Sequence, residues 1–291
     1  MRLHLIDGTF ELFRAHYSKR PSRHDPEGRD IKATVGVVGS LLGLLADETE
    51  RPTHLAVAFD NPIESFRNRM FAGYKDGADV DPALLAQFDP VEEAVRSLGL
   101  SVWSLREHEA DDALATAAVR FADEVEQVRI LTPDKDLGQV VRGTRIVQVD
   151  RMRDRVIDEA AIRQRRGVAP SAIPDLLALV GDTADGIPGL PGFGEKTAAT
   201  LLARYGSIAA IPTDPDAWDV GVRGAARLAQ TLQERREDVA LYRELAVLVT
   251  DVPLAENLDD LEWHGVPRDR FLSWCDANDV GALRDRPARW A

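Results

Sequence analysis

Two short apolar runs, Arg2-Leu3-His4-Leu5-Ile6 and His54-Leu55-Ala56-Val57-Ala58-Phe59, are each closed by an aspartate, Asp7 and Asp60. Runs of this kind predict strands buried on both faces, as in parallel sheets. Ser101 to Leu105 and Val128 to Leu131 predict two more strands, and Ile146 to Val149 a further one that Arg155-Val156-Ile157 is placed to pair with. Helical spacing fills the intervals: Ala33 to Glu50, Pro82 to Leu98, and a helix opening at Glu109. Beyond Asp158 the strand pattern stops, and Pro170 to Val180, Lys196 to Tyr205 and Gly224 to Val249 predict helices. The expected fold class is α/β, a mostly parallel central sheet flanked by helices in residues 1–165, with a helical domain in residues 166–291. Gly73 to Asp81 is polar and predicts a loop projecting from the core, whereas Asp251 to Ala291 carries no interpretable motif.

Acids recur where strands end and helices start: Asp7; Asp60; Glu109, Asp111 and Asp112; Asp134 and Asp136. Taken singly, each has an ordinary explanation as a helix cap or a partner of the helix dipole. Taken together they belong on one edge, because the C-terminal ends of parallel strands lie side by side. Two like charges about 4 Å apart repel by roughly 4 kcal/mol at an effective dielectric of about 20. Several such pairs would exceed a typical fold stability of about 5–15 kcal/mol, so protons or cations must neutralise the set. A ligand set made only of carboxylates suits hard ions, Mg²⁺ or Mn²⁺, and nine acids exceed what one ion takes. Two ions about 3.5–4 Å apart would account for them and suit in-line phosphodiester displacement.

The last of these acids, Asp182 and Asp185, precede a turn rich in Gly and Pro that leads through Gly189, Gly192 and Gly194 into Glu195-Lys196-Thr197-Ala198. Exposed amides at a turn and a helix N-terminus favour phosphate. A nucleotide-binding P-loop is excluded: Gly189 and Gly194 have its spacing, but Glu195 separates Gly194 from Lys196.

Composition narrows the class further. The single cysteine, Cys275, excludes a disulfide framework or a cysteine zinc site and fits a reducing cytoplasm. No signal peptide is evident, and no uncharged run is long enough to span a bilayer, so no membrane association is expected. A net charge of −13 argues against a simple nucleic-acid coat, but setting aside the nine carboxylates leaves about −4 with 36 Lys and Arg.

In their order along the chain, these motifs resemble the bacterial and phage 5′-nucleases of the flap endonuclease superfamily, in particular the 5′–3′ exonuclease domain at the N-terminus of DNA polymerase I. The matching stretches are Leu5-Ile6-Asp7-Gly8 with Arg14, Phe59-Asp60, Phe66-Arg67 with Tyr74-Lys75, Glu109-Ala110-Asp111-Asp112, Asp134-Lys135-Asp136-Leu137, and Gly181-Asp182 through Gly194-Glu195-Lys196-Thr197-Ala198; they cover roughly residues 1–250. The resemblance implies a first metal set of Asp7, Asp60, Glu109, Asp111 and Asp112 and a second of Asp134, Asp136, Asp182 and Asp185. It implies that Lys75 and Arg14 engage the scissile phosphate and 5′ strand. A PIN-like core would carry a helical arch at about 73–98. A helix-three-turn-helix at about 189–205 would grip duplex backbone, in this family often with K⁺. Arg67, Gly192, Gly194, Lys196 and Thr197 are the implied DNA-binding residues. The sequence departs from the family pattern at Ala78, Pro133 and Gly186, where Arg, Gly or Ala, and Asn are common, and Asp76, Asp79 and Asp81 make the arch acidic.

The expected function is a metal-dependent 5′–3′ exonuclease and 5′-flap endonuclease of replication and repair, acting as a stand-alone cytoplasmic monomer. Its expected partners are DNA with a free 5′ end, flap or nick, and RNA–DNA hybrids. Two alternatives stay open: a junction-binding protein with little or no catalysis, and a PIN-type ribonuclease. The complete acid set argues against the first, and the Gly-rich turn against the second.

Overall fold

The computed structural model describes residues 1–291. Along the chain run β1 (Arg2–Asp7), α1 (Gly8–His16), α2 (Lys32–Leu45), β2 (His54–Asp60), α3 (Phe66–Met70), α4 (Pro82–Leu85), α5 (Phe88–Ser97), β3 (Ser101–Leu105), α6 (Ala110–Phe121), β4 (Gln127–Leu131), β5 (Ile146–Asp150), β6 (Arg155–Ile157), α7 (Glu159–Arg166), α8 (Ile173–Val180), α9 (Glu195–Tyr205), α10 (Ala225–Glu234), α11 (Arg236–Ala246) and α12 (Arg268–Ala277). They fall into two compact units. Unit one is Met1–Ser65, Gly77–Thr132 and Val249–Ala291; unit two is Phe66–Asp76 and Pro133–Leu248.

In unit one, β3, β2, β1 and β4 lie in that order, every pairing parallel. Leu5 sits opposite Ala56 on one side and Ile130 on the other. Leu3, Leu5, Ile6, Val57 and Phe59 are fully buried, so the strands need apolar side chains on both faces, and this is why they read as unbroken runs. Helices α1, α2, α5 and α6 complete the core. Gly8 is required by a close approach: a Cβ there would meet the Phe59 ring at 2.6 Å and the Ala58 carbonyl oxygen at 2.8 Å. The chain therefore turns from β1 into α1 directly above β2, and Asp7 becomes the helix cap.

The helix expected over Pro82 to Leu98 is two helices, α4 and α5, parted at Ala86 and Gln87. Gln87 is buried, and its Oε1 accepts from the backbone N–H groups of Ala33 and Thr34 at 3.0 and 3.1 Å. It thereby satisfies the N-terminus of α2, whose own Ile31 has no capping side chain. The last segment of unit one builds its core: Trp263 Nε1 donates to Leu98 O at 3.0 Å, and α12 packs on α5.

Unit two is mostly helical around the antiparallel pair β5 and β6. Leu176, Leu177 and Leu179 of α8, Ala198, Leu201 and Leu202 of α9, Leu228 and Ala229 of α10, and Val239 and Leu245 of α11 share one apolar cluster. The helix expected over Gly224 to Val249 breaks at Arg235, whose backbone leaves the helical region, and α11 then packs along α8. No helix is long and apolar enough to cross a membrane.

Candidate functional site

Each unit presents its own set of carboxylates. In unit one, Asp7 closes β1 and caps α1: Phe10 N donates to its Oδ1 at 2.8 Å, and the Thr132 hydroxyl donates to Oδ2 at 2.9 Å. Asp60 closes β2, where Oδ1 accepts from Ala110 N at 2.7 Å, tying this strand end to the start of α6. Glu109 and Asp112 form a capping box on α6. Asp112 is fully buried and accepts from Glu109 N at 3.0 Å and from Val249 N at 2.9 Å. The Ser65 hydroxyl donates to Glu109 Oε1 at 2.8 Å. Asp111 is half-buried in the first turn of α6. The capping and ligand readings of these acids are compatible, because an ionised carboxylate offers about four lone-pair positions.

In unit two the acids come together more closely. Asp136, Asp182 and Asp185 each offer an oxygen, and the three oxygens lie within 4.8 Å of one another. Asp182 is fixed by paired backbone hydrogen bonds with Ile187, both 2.8 Å, and its Oδ1 accepts from Ala184 N at 3.0 Å. Gly186 has φ +76°, and a Cβ there would lie 2.0 Å from Gly73 O. The missing Cβ lets the Gly73–Lys75 segment lie on the turn, where Lys75 N donates to Asp185 O at 3.0 Å and Lys75 Nζ pairs with Asp185 Oδ1 at 2.9 Å. Lys135, which the motif reading passed over although it stands between two of the acids, makes an ion pair with Asp182.

The electrostatics follow from this crowding. Burial pushes Asp136 well above the usual carboxylate range, and the charges of Asp134, Asp185 and Asp182 push it further. Asp134 is raised by burial too, against a hydrogen bond from Asp136 N. Burial pulls the Lys135 ammonium down, but its hydrogen bond to Asp182 and the neighbouring carboxylates more than reverse this. Asp136 Oδ1 is buried without a hydrogen-bond partner. A buried, unsatisfied oxygen on one of three crowded carboxylates is costly unless a cation meets it. The residues therefore fit a hard divalent ion, with oxygen donors only and an acceptor left open.

The other expected residues are placed as follows. Arg14 is partly buried, ion-paired with Glu11 and donating to Ser40 Oγ at 3.0 Å. Lys196 is exposed and Thr197 half-buried in the first turn of α9, which begins after Gly194, and Gly192 turns at φ +91°. Arg67, expected at a nucleic-acid surface, is instead 1% exposed and donates to Leu245 O and Val247 O, both at 2.9 Å. These two bonds tie α3 to the end of α11. Thr132 and Ser65 also escaped sequence reading; for Thr132 the only signal was a hydroxyl residue directly after a strand.

Two family models match the chain: the 5′–3′ exonuclease N-terminal resolvase-like domain over residues 2–167, and the 5′–3′ exonuclease C-terminal SAM fold over residues 168–269. The 5′–3′ exonuclease of Aquifex aeolicus is 32% identical over 261 residues, covering 89% of this chain and 86% of that protein. DNA polymerase I of Bacillus caldotenax is 34% identical over 278 residues, 94% of this chain but 31% of the polymerase, so the chain spans about a third of such relatives. The fold resembles that of the T5 D15 protein co-crystallised with metal ions, with a TM-score of 0.69, 18% identity, and coverage of 98% of this chain and 100% of that one.

Proposed function

The chain belongs to the 5′–3′ exonuclease family, and on that premise we propose that it is a divalent-metal-dependent 5′–3′ exonuclease and 5′-flap endonuclease. The observation that carries the reading is the convergence of Asp136, Asp182 and Asp185, together with a buried Asp136 oxygen that has no hydrogen-bond partner. Asp134, Asp136, Asp182 and Asp185 would hold one ion, and Asp7, Asp60, Glu109, Asp111 and Asp112 form the other ligand set. Bound Mg²⁺ or Mn²⁺ supplies an activated water and stabilisation of the leaving oxygen.

The chain's own residues do the rest. The backbone hydrogen bonds to Asp7, Asp60 and Asp112 hold those carboxylates in place before any ion arrives. Lys75, about a third exposed and anchored through Asp185, offers a cation to the negative charge that builds on the phosphate during displacement. Arg14, with its charge turned toward Glu11, orients the 5′ strand. The exposed turn at Gly192 and Gly194 with Lys196 and Thr197 grips duplex backbone without reading sequence, with K⁺ as an accompanying ion. The substrates in this reading are DNA ends, flaps and nicks and RNA–DNA hybrids, and the protein acts as a cytoplasmic monomer.

The test is cleavage of a 5′-labelled flap beside a matched blunt duplex in Mg²⁺, Mn²⁺ and EDTA, with wild type and Asp182→Asn. Metal-dependent cutting that the variant loses supports the reading. Tight binding without cutting in any metal would leave a junction-binding protein instead.

A further inference from the structure

Unit two holds a recess of about 80 Å³ that the proposed reaction does not use. Lys135, Arg165 and Arg166 stand on its wall with Gln148, the isoleucines at 157, 162 and 173 line it, and no carboxylate does. It closes tightly at Gly138, where a Cβ would meet Ile173 Cδ1 at 2.9 Å.

The arginines of α7 are not equivalent. Arg163 pairs with Glu159 at 2.8 Å one turn earlier, as cations on a solvated helix face do. Arg165 has no such partner and lines the recess instead. Arg166, also on the recess, lies 3.6 Å from Glu195, the first residue of α9. The end of α7 reaches α9 directly, since a Cβ on Gly167 would lie 3.4 Å from Ala199 Cβ. On its other side the recess includes Lys135, the partner of Asp182. The basic recess thus lies along the path from the carboxylate cluster to the N-terminus of α9, all within unit two.

We propose that this recess seats a backbone phosphate of the bound nucleic-acid strand, an inference that rests on the nuclease reading. Lys135 and Arg166 each have a carboxylate partner, Asp182 and Glu195, whereas Arg165 has none, and its guanidinium fork matches phosphate oxygens in pairs. Arg165 is the principal ligand, with Arg166 and Lys135 at its flanks. The seat fixes how far the strand advances between the duplex grip and the metal-binding carboxylates.

The experiment is binding of a fluorescent 5′-flap duplex to the full chain in EDTA, titrated with salt. Wild type is compared with Arg165→Ala, Arg165→Lys, the double variant Arg165→Ala/Arg166→Ala, and Arg163→Ala on the same helix. Losing one phosphate contact lowers the slope of log K against log salt by about 0.9, and the double variant should bind roughly 10-fold more weakly or worse. Arg165→Lys should recover part of the loss, and Arg163→Ala should change the slope little. Equal losses at 163 and 165, or none at 165, would overturn the seat. Wild-type cleavage of the same flap in Mg²⁺ separates the two failures. If wild type cuts and Arg165→Ala binds normally, only the seat falls; if wild type neither cuts nor binds, the nuclease reading falls and the seat with it.

Discussion

Asp7, Asp60 and Asp112 of unit one accept from backbone N–H groups, whereas in unit two Asp182 and Asp185 meet ammonium groups as well. The donors Phe10 N, Ala110 N and Glu109 N are groups that helix starts leave without intrahelical partners. Lys135 pairs with Asp182 and Lys75 with Asp185, and Asp136 keeps a buried oxygen with no partner. Unit one therefore fixes these carboxylates through its secondary structure, whereas unit two brings an oxygen from each of three carboxylates within 4.8 Å of one another.

For catalysis the comparison predicts no difference, and this is the largest effect. Asp112→Asn and Asp182→Asn should each lower metal-dependent flap cleavage by roughly 100-fold or more, the scale of removing one preorganised electrostatic group. Single-turnover rates at saturating protein measure this. A variant in either set that cuts at the wild-type rate would remove that set from the reaction.

Metal response is where the units should part. A ligand that binds only the folded state at about 100 times its Kd stabilises by about 2.7 kcal/mol. With Mg²⁺ against EDTA, hydrogen exchange should slow most around Asp136 to Val140 and Gly181 to Ile187. The starts of α1 and α6, already hydrogen-bonded, should change less. Equal protection in both places would break the comparison.

Stability should show the reverse in a smaller effect. Asp112→Ala leaves Glu109 N and Val249 N without their acceptor and should cost about 1–3 kcal/mol. Asp136→Asn removes a buried charge from among like charges and should raise Tm in EDTA. Denaturation of both variants without metal checks the pair; a loss of stability in Asp136→Asn would mean that the cluster is not strained by its charge.

Much of unit one was legible because its signals are local. Strands buried on both faces read as apolar runs, and an acid at a strand end reads directly as Asp7 or Asp60. What could not be read depends on partners remote in sequence. Arg67 sits among polar residues and looks exposed, yet its guanidinium binds carbonyls at 245 and 247. Gln87 interrupts a helical pattern because it caps a helix that begins at Lys32. Asp251 to Ala291 carries no motif because its work in unit one is done by packing, as where Trp263 fills the core beside Leu98. In unit two the acids were visible, but the pairing of Lys135 with Asp182 depends on the return of the Gly181 turn and not on the spacing around Lys135.

Acid should act on the two units with opposite sign in metal-free protein, and this is the finest separation between them. In unit one His4 is fully buried, and burial lowers its pKa against the pull of Glu50, 3.0 Å away. The unfolded chain then binds more protons than the fold below about pH 6.5, so stability is lost as pH falls through that range. Glu50 adds to this at lower pH: its hydrogen bond with His4, and then its contacts with Arg129, hold its pKa at about 2 against 4.5, so its contribution is lost between those values. In unit two Asp136 and Asp134 are raised by burial, so above the ordinary carboxylate value of 3.8 the fold binds more protons than the unfolded chain, and acidification stabilises. Hydrogen exchange in EDTA at pH 7 and pH 5, corrected for the intrinsic pH dependence of exchange, should show β1 and its neighbours less protected at pH 5 and the Asp136 and Asp182 segments more protected. His4→Gln should flatten the first trend without touching the second, and Asp136→Asn should do the converse. If both variants flattened both trends, the units would share one electrostatic response, and the contrast in their donors would not explain it.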